Sequence, residues 1–75
     1  MPPLPSDLTG RQVQAALERI GFRVSRQRGS HIMLYKEHPH IAVVVPDHKT
    51  VRVGTLRKII RDARLSVDEF LRLLR

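Results

Sequence analysis

The hydrophobic period changes twice along this chain of 75 residues. Val13, Ala16, Leu17 and Ile20 recur at i, i+3, i+4 and i+7, which is one face of a helix. Between Phe22 and Pro46 the apolar residues fall instead into short β-rich runs. From Leu56 onward the helical period returns, with Leu56, Ile59, Ile60 and Ala63 on one face. A chain this short forms one small domain and buries only a modest core. Its elements must therefore pack together in a single arrangement.

The punctuation sharpens the boundaries. Thr9 and Gln12 stand in capping-box spacing, in which each side chain satisfies an unpaired backbone donor, so a helix is expected from about Thr9 to Ile20. Gly21 supplies its left-handed stop, and Phe22 is placed to fold back on the last turn. Phe22-Arg23-Val24-Ser25 alternates as a half-buried strand does, and Gln27-Arg28-Gly29-Ser30 reads as a turn. His31–Tyr35 is a second strand, Glu37-His38-Pro39-His40 a second turn, and Ile41–Val45 a third strand stopped by Pro46. Short turns predict an antiparallel meander. A second helix fits about Gly54 to Ala63, with Arg57, Arg61 and Arg64 on its polar side. Ser66 and Glu69 form another capping box opening a short last helix, whose apolar face is Val67, Phe70, Leu71 and Leu74. Residues 1–8, with prolines at 2, 3 and 5, read as a flexible lead-in to a single domain over 9–75.

Three strands alone are not stable, and both long helices have one apolar face. The expected fold is therefore α+β, in the order α-β-β-β-α with a short C-terminal helix. Its three-stranded antiparallel sheet carries the helices on one face. Double-stranded RNA-binding domains share this arrangement, which by itself does not define function.

Charge narrows the function classes. Fourteen Lys and Arg against seven Asp and Glu leave +7 on a very short chain. So positive a field favours nucleic acid or an acidic partner protein, though such charge also keeps small domains soluble. No signal peptide is apparent, and the longest apolar run, Ile41–Pro46, is far too short to span a bilayer. The absence of cysteine fits a reducing compartment and excludes disulfides and thiolate metal sites.

Gly29-Ser30-His31 is the strongest local signal for chemistry. A glycine in a tight turn allows close backbone approach, and exposed amides there can hold a phosphate oxygen. Arg26 and Arg28 precede it, so His31 is placed to move a proton near a bound phosphate. Imidazole titrates close to neutral pH and serves as base or acid. On the residues alone, an ordinary surface histidine opening a strand is the commoner case. His48 and Lys49 leave the third strand at the sheet end where the first turn lies, so His48 is expected to approach His31. These two residues are either phosphate contacts or solvated loop residues. His38 and His40 belong to the opposite turn, and no helical His-x-x-x-His spacing suggests a metal. The stripe Arg57, Arg61 and Arg64 is a solvated face or a phosphate track. No cofactor motif is present.

Taken in order, Gly21-Phe22, Gly29-Ser30-His31, Pro46-Asp47-His48 and Val53-Gly54-Thr55-Leu56-Arg57-Lys58-Ile59-Ile60 resemble the HicA toxins, also described as YcfA-like proteins. The resemblance runs from about Thr9 to Leu71. It implies a fold like that of a double-stranded RNA-binding domain and a cytoplasmic toxin that cleaves messenger RNA. It also implies a HicB antitoxin as partner, covering the site. The family's catalytic histidine maps onto His31, with Gly29 and Ser30 before it, and the basic surface is implied to hold RNA. Metal-independent cleavage is expected. The alternative is an RNA-binding module without catalysis, or a partner-binding half of a complex. The family often has Ala-Gly before its last helix where this chain has Ala63-Arg64, so the end of the second helix is expected to differ.

Overall fold

The computed structural model describes residues 3–75, and its elements are α1 (Gly10–Glu18), β1 (Arg23–Arg28), β2 (His31–Lys36), β3 (Ile41–Pro46), α2 (Val53–Asp62) and α3 (Val67–Leu73). Thr9 caps α1 by accepting from the Gln12 amide, while the Gln12 side chain accepts from the Thr9 amide. Ser66 and Glu69 repeat this box at α3. The Glu69 carboxyl is held below the usual range, first by the hydrogen bond from the Ser66 backbone and then by the Ser66 hydroxyl. Past α1 the chain closes through two hydrogen bonds, Gly21 N–H to the Glu18 carbonyl and Phe22 N–H to the Leu17 carbonyl. Gly21 is left-handed there, at φ +101°. The helix proper thus ends before the expected Ile20, because this closing motif takes over its last turn.

The end of α2 repeats the motif with a different residue. Arg64 N–H donates to the Arg61 carbonyl and Leu65 N–H to the Ile60 carbonyl, with Arg64 at φ +60°. The second helix therefore closes as α1 does, with arginine in the place of glycine. Arginine adopts the left-handed conformation that glycine takes more easily.

The sheet has the order β1-β2-β3 and is antiparallel throughout. On β2 and β3, Ile32, Leu34, Ile41, Val43 and Val45 face the helices and are buried. They join Val13, Ala16 and Leu17 of α1, Leu56, Ile59 and Ile60 of α2 and Phe70 of α3 in one core. Both long helices pack over β3. The result is the expected two-layer α+β domain, resembling double-stranded RNA-binding domains, with the other sheet face open.

Two expectations need correction. The first strand is not half-buried: all six residues of β1 are exposed, since it is the edge strand farthest from the helices. It is also longer than Phe22–Ser25, because Gln27 and Arg28 pair with Ile32 and His31, leaving only Gly29-Ser30 as the turn. Gly29 has φ +57° and Ser30 is not left-handed, the pattern of a two-residue hairpin turn with glycine first. Of the expected lead-in, residues 1 and 2 lie outside the described residues. Leu4 and Leu8 are buried in the core, and Val51 N–H donates to the Leu8 carbonyl. A small domain gains from each such side chain, at about 1.5–3 kcal/mol when fully buried.

Candidate active site

His31 opens β2 and is exposed. Its neighbours on the open sheet face follow from the register: Arg28 on β1 and Pro46 on β3 stand directly across from it. Directly opposed residues share a face, so the Arg28 and His31 side chains lie on the same side of the sheet. Arg26 stands across from Met33, one step further along that side.

A bulge creates this arrangement. Val24 pairs with Leu34 and Arg26 with Met33, so Ser25 is the extra residue, and its hydroxyl donates to the Met33 carbonyl at 3.2 Å. A strand alternates faces at every residue, and one inserted residue reverses the assignment of everything beyond it. Without the bulge Arg26 and Arg28 would face the helices. With it they flank the histidine, while Gln27 turns toward α1 and accepts from Arg11 Nη2 at 3.2 Å.

On the other side of His31 runs an open groove of 700 Å³ between the free edge of β3 and α2. His31, Val44 and Pro46 line it, as do His48, Arg52 and Lys58. Both histidines of this sheet end therefore border one cavity, of a size that suits a small ligand or a nucleotide. Lys58 Nζ lies 2.6 Å from the Asp62 carboxylate, one turn along α2, and both side chains line the groove. Arg52 leaves the rim with an excess of positive charge.

The end of the sheet beneath these histidines is tied together. Asp47 N–H donates to the Ser30 carbonyl at 2.6 Å, and Gly10 N–H to the His48 carbonyl at 2.9 Å. The Asp47 carboxylate accepts from Arg11 Nε and Nη2 at 3.2 and 3.0 Å and from Gln27 Nε2 at 3.0 Å. Gln27 Nε2 also donates to the Gly29 carbonyl at 3.1 Å. The Gln27 hydrogen bond first, and Arg11 second, hold the Asp47 carboxyl below the usual range.

A family model described as HicA toxin of bacterial toxin-antitoxin matches residues 10–65, well over half of the chain. The chain belongs to the HicA toxin family. It is accordingly the toxin of a bacterial toxin–antitoxin pair, and an antitoxin partner follows from that membership. The match runs from the start of α1 to just past α2, so α3 lies beyond it. No curated protein sequence matches the chain.

Set against the HicA reading, the expected site residues separate into three places. Gly29, Ser30 and His31, with Arg26 and Arg28, occupy the first hairpin, and His48 joins His31 at the groove. Lys49 is exposed just beyond His48 and does not line it. Arg57 and Arg61 border a different groove, of 570 Å³, with Leu65, Ser66 and Val67. They sit about 100° around α2 from Lys58 and Asp62. Arg52, Thr55, Lys58 and Asp62 at the first groove were not anticipated. Their signal was present as the i, i+3, i+7 spacing of 55, 58 and 62, a third helix face between the apolar one and the arginine stripe. Among the described residues no three His, Cys, Asp or Glu side chains gather as metal ligands, and no helix is long and apolar enough to cross a membrane.

Proposed function

We propose that this toxin is an endoribonuclease that cleaves messenger RNA, with His31 as its catalytic residue. The observation that carries the reading is an exposed His31 between Arg28 and a cation-rimmed groove that it shares with His48. His31 takes the proton of a ribose 2′-hydroxyl as that oxygen attacks the adjacent phosphorus. The new 2′-O–P bond forms as the P–O5′ bond breaks, and the leaving 5′ oxygen receives a proton from protonated His48. The products are a 2′,3′-cyclic phosphate and a free 5′-hydroxyl. Arg26 and Arg28 stabilise the charge that develops on the phosphate oxygens, backed by the amides of Gly29 and Ser30, while Lys49, outside the groove, contacts the RNA backbone beyond it. Arg57 and Arg61, in their separate groove, extend the basic surface along the RNA backbone. Requiring the 2′-hydroxyl selects RNA over DNA. Acting on messenger RNA places the toxin in the cytoplasm, and a HicB-type antitoxin silences it by covering the groove around His31.

The reaction needs no metal, so purified protein should cleave RNA in excess EDTA and leave a cyclic phosphate. His31→Ala should lower the rate by about 10²–10⁴-fold. RNA that is bound in a salt-sensitive way but stays intact would instead identify a binding module without catalysis.

A further inference from the structure

His31 and His48 reach the groove from segments seventeen positions apart, so something must fix one against the other. The residues directly before them do so. Ser30, before His31, accepts from the amide of Asp47, which directly precedes His48. The side chain of that same Asp47 is held by Arg11 at the start of α1 and by Gln27 at the end of β1. Gln27 reaches on to the Gly29 carbonyl inside the turn. Two elements, α1 and β1, thus converge on the carboxylate of Asp47, whose backbone amide joins the two histidine-bearing segments. We propose that Asp47 is a positioning residue for RNA cleavage, clamped by Arg11 and Gln27 so that the turn carrying His31 and the segment carrying His48 stay in register across the groove.

The clamp lies at the surface: the Arg11 and Asp47 side chains are 60% and 29% exposed. An ion pair so placed contributes little to global stability. Its contribution is geometric, since catalytic groups displaced by about 1 Å lose rate steeply. Asp47 touches neither groove nor RNA in this scheme; it acts only through the two histidines.

The proposal rests on the ribonuclease reading, and a single set of variants separates the two. RNA cleavage is measured for wild type, His31→Ala, Asp47→Ala, Asp47→Asn and Gln27→Leu, with thermal melts and amide hydrogen exchange on each. Asp47→Ala should keep its melting transition near that of wild type, lose kcat by about 10–100-fold and leave KM within about twofold. Asp47→Asn, which keeps one acceptor oxygen, should lose less. Exchange should quicken at the amides of His31 and Asp47, and Asp47→Ala should add nothing in a His31→Ala background. Wild-type cleavage with an unchanged kcat in Asp47→Ala overturns the positioning role alone, as does a rise confined to KM, which would make Asp47 an RNA contact. Absence of cleavage by wild type, or undiminished cleavage by His31→Ala, overturns the ribonuclease reading and the positioning role with it. Should Asp47→Ala melt early, Gln27→Leu carries the same test from the other side of the clamp.

Discussion

The two ends of the sheet are built from similar residues and held in different ways. At one end the Gly29-Ser30 turn is cross-linked to α1 and to the exit of β3 through Arg11, Gln27 and Asp47. At the other, residues 37–40 form an exposed turn carrying His38 and His40, whose nearest ring contact is a tilted Tyr35–His40 pair with centroids 6.3 Å apart. Both ends present exposed histidines. Only the first brings two of them to one groove and ties the segments that carry them with charged and backbone hydrogen bonds. Exposed imidazole alone is common; what separates the ends is the order imposed around it. The sharpest way to break this comparison is to remove each histidine in turn. Cleavage should collapse in His31→Ala by the 10²–10⁴-fold stated above and hold within about twofold in His38→Ala and His40→Ala. Equal losses at both ends would falsify the assignment of the site to the tied end.

Glycines set up the next contrast, because one stands near each end for a different reason. Gly10 lies under the first end: a Cβ there would come 2.0 Å from the Pro46 carbonyl oxygen and 2.9 Å from the Asp47 Cα. Both are backbone atoms and cannot swing aside, so α1 would have to back away from the β3 exit. Gly21 precedes β1 at the other end, is left-handed and has nothing within 4 Å of a built Cβ. Gly10→Ala should cost toward the top of the range of about 1–3 kcal/mol typical of overpacking. It should also lower cleavage, since it separates Arg11 from Asp47. Gly21→Ala should cost about 1–2 kcal/mol through its torsion, with kcat unaltered. Urea unfolding and RNA cleavage on the same preparations measure both. A Gly10→Ala enzyme that is destabilised yet fully active would show that the tie beneath His31 does not matter to the chemistry.

What the residues disclosed in advance follows the range of the interactions involved. Both capping boxes, the Gly21 stop and the order of elements were legible because each depends on residues within a few positions of one another. The His31–His48 juxtaposition followed from meander topology alone. Two features were not legible. Ser25 carries no mark of a bulge, yet it decides that Arg26 and Arg28 face the histidine, because strand alternation beyond it is inverted. The clamp joins positions 11, 27 and 47, and no local pattern links residues so far apart. Asp47 was visible only as a carboxylate beside His48. Gln27 and Arg28 looked like turn residues because they are polar, whereas an exposed edge strand tolerates polarity on both faces.

A smaller effect sharpens the comparison at the helix ends. Gly21 and Arg64 occupy equivalent positions in the same closing motif, at φ +101° and +60°. Glycine holds this conformation freely, and arginine holds it at a torsional cost. Arg64→Gly should therefore stabilise the fold by about 0.5–1 kcal/mol, once the greater freedom of glycine in the unfolded chain is subtracted. Thermal melts should show a rise of a few degrees, and cleavage should not change, since Arg64 touches neither histidine segment. A loss of stability would mean that the arginine side chain compensates for its own backbone.

The smallest expected effect isolates the electrostatics of the clamp from its geometry. The Asp47 carboxyl sits below the ordinary aspartate range because its ionised form accepts from Gln27 and Arg11, and the unfolded chain has neither contact. The folded state consequently binds this proton less readily than the unfolded state does. Stability from the ionised clamp is complete above the unfolded carboxyl range and is lost as pH falls through the lowered folded value. Carboxyl NMR titration should find the Asp47 midpoint below that of an ordinary aspartate, rising toward it in Gln27→Leu and in Arg11→Ala. Among the described residues the turn at 37–40 has no counterpart to this clamp, so acidification should quicken exchange at the Asp47 amide and leave residues 37–40 unaltered. Simultaneous loosening at both ends, or a midpoint that ignores Gln27, would reduce the clamp to an ordinary surface pair.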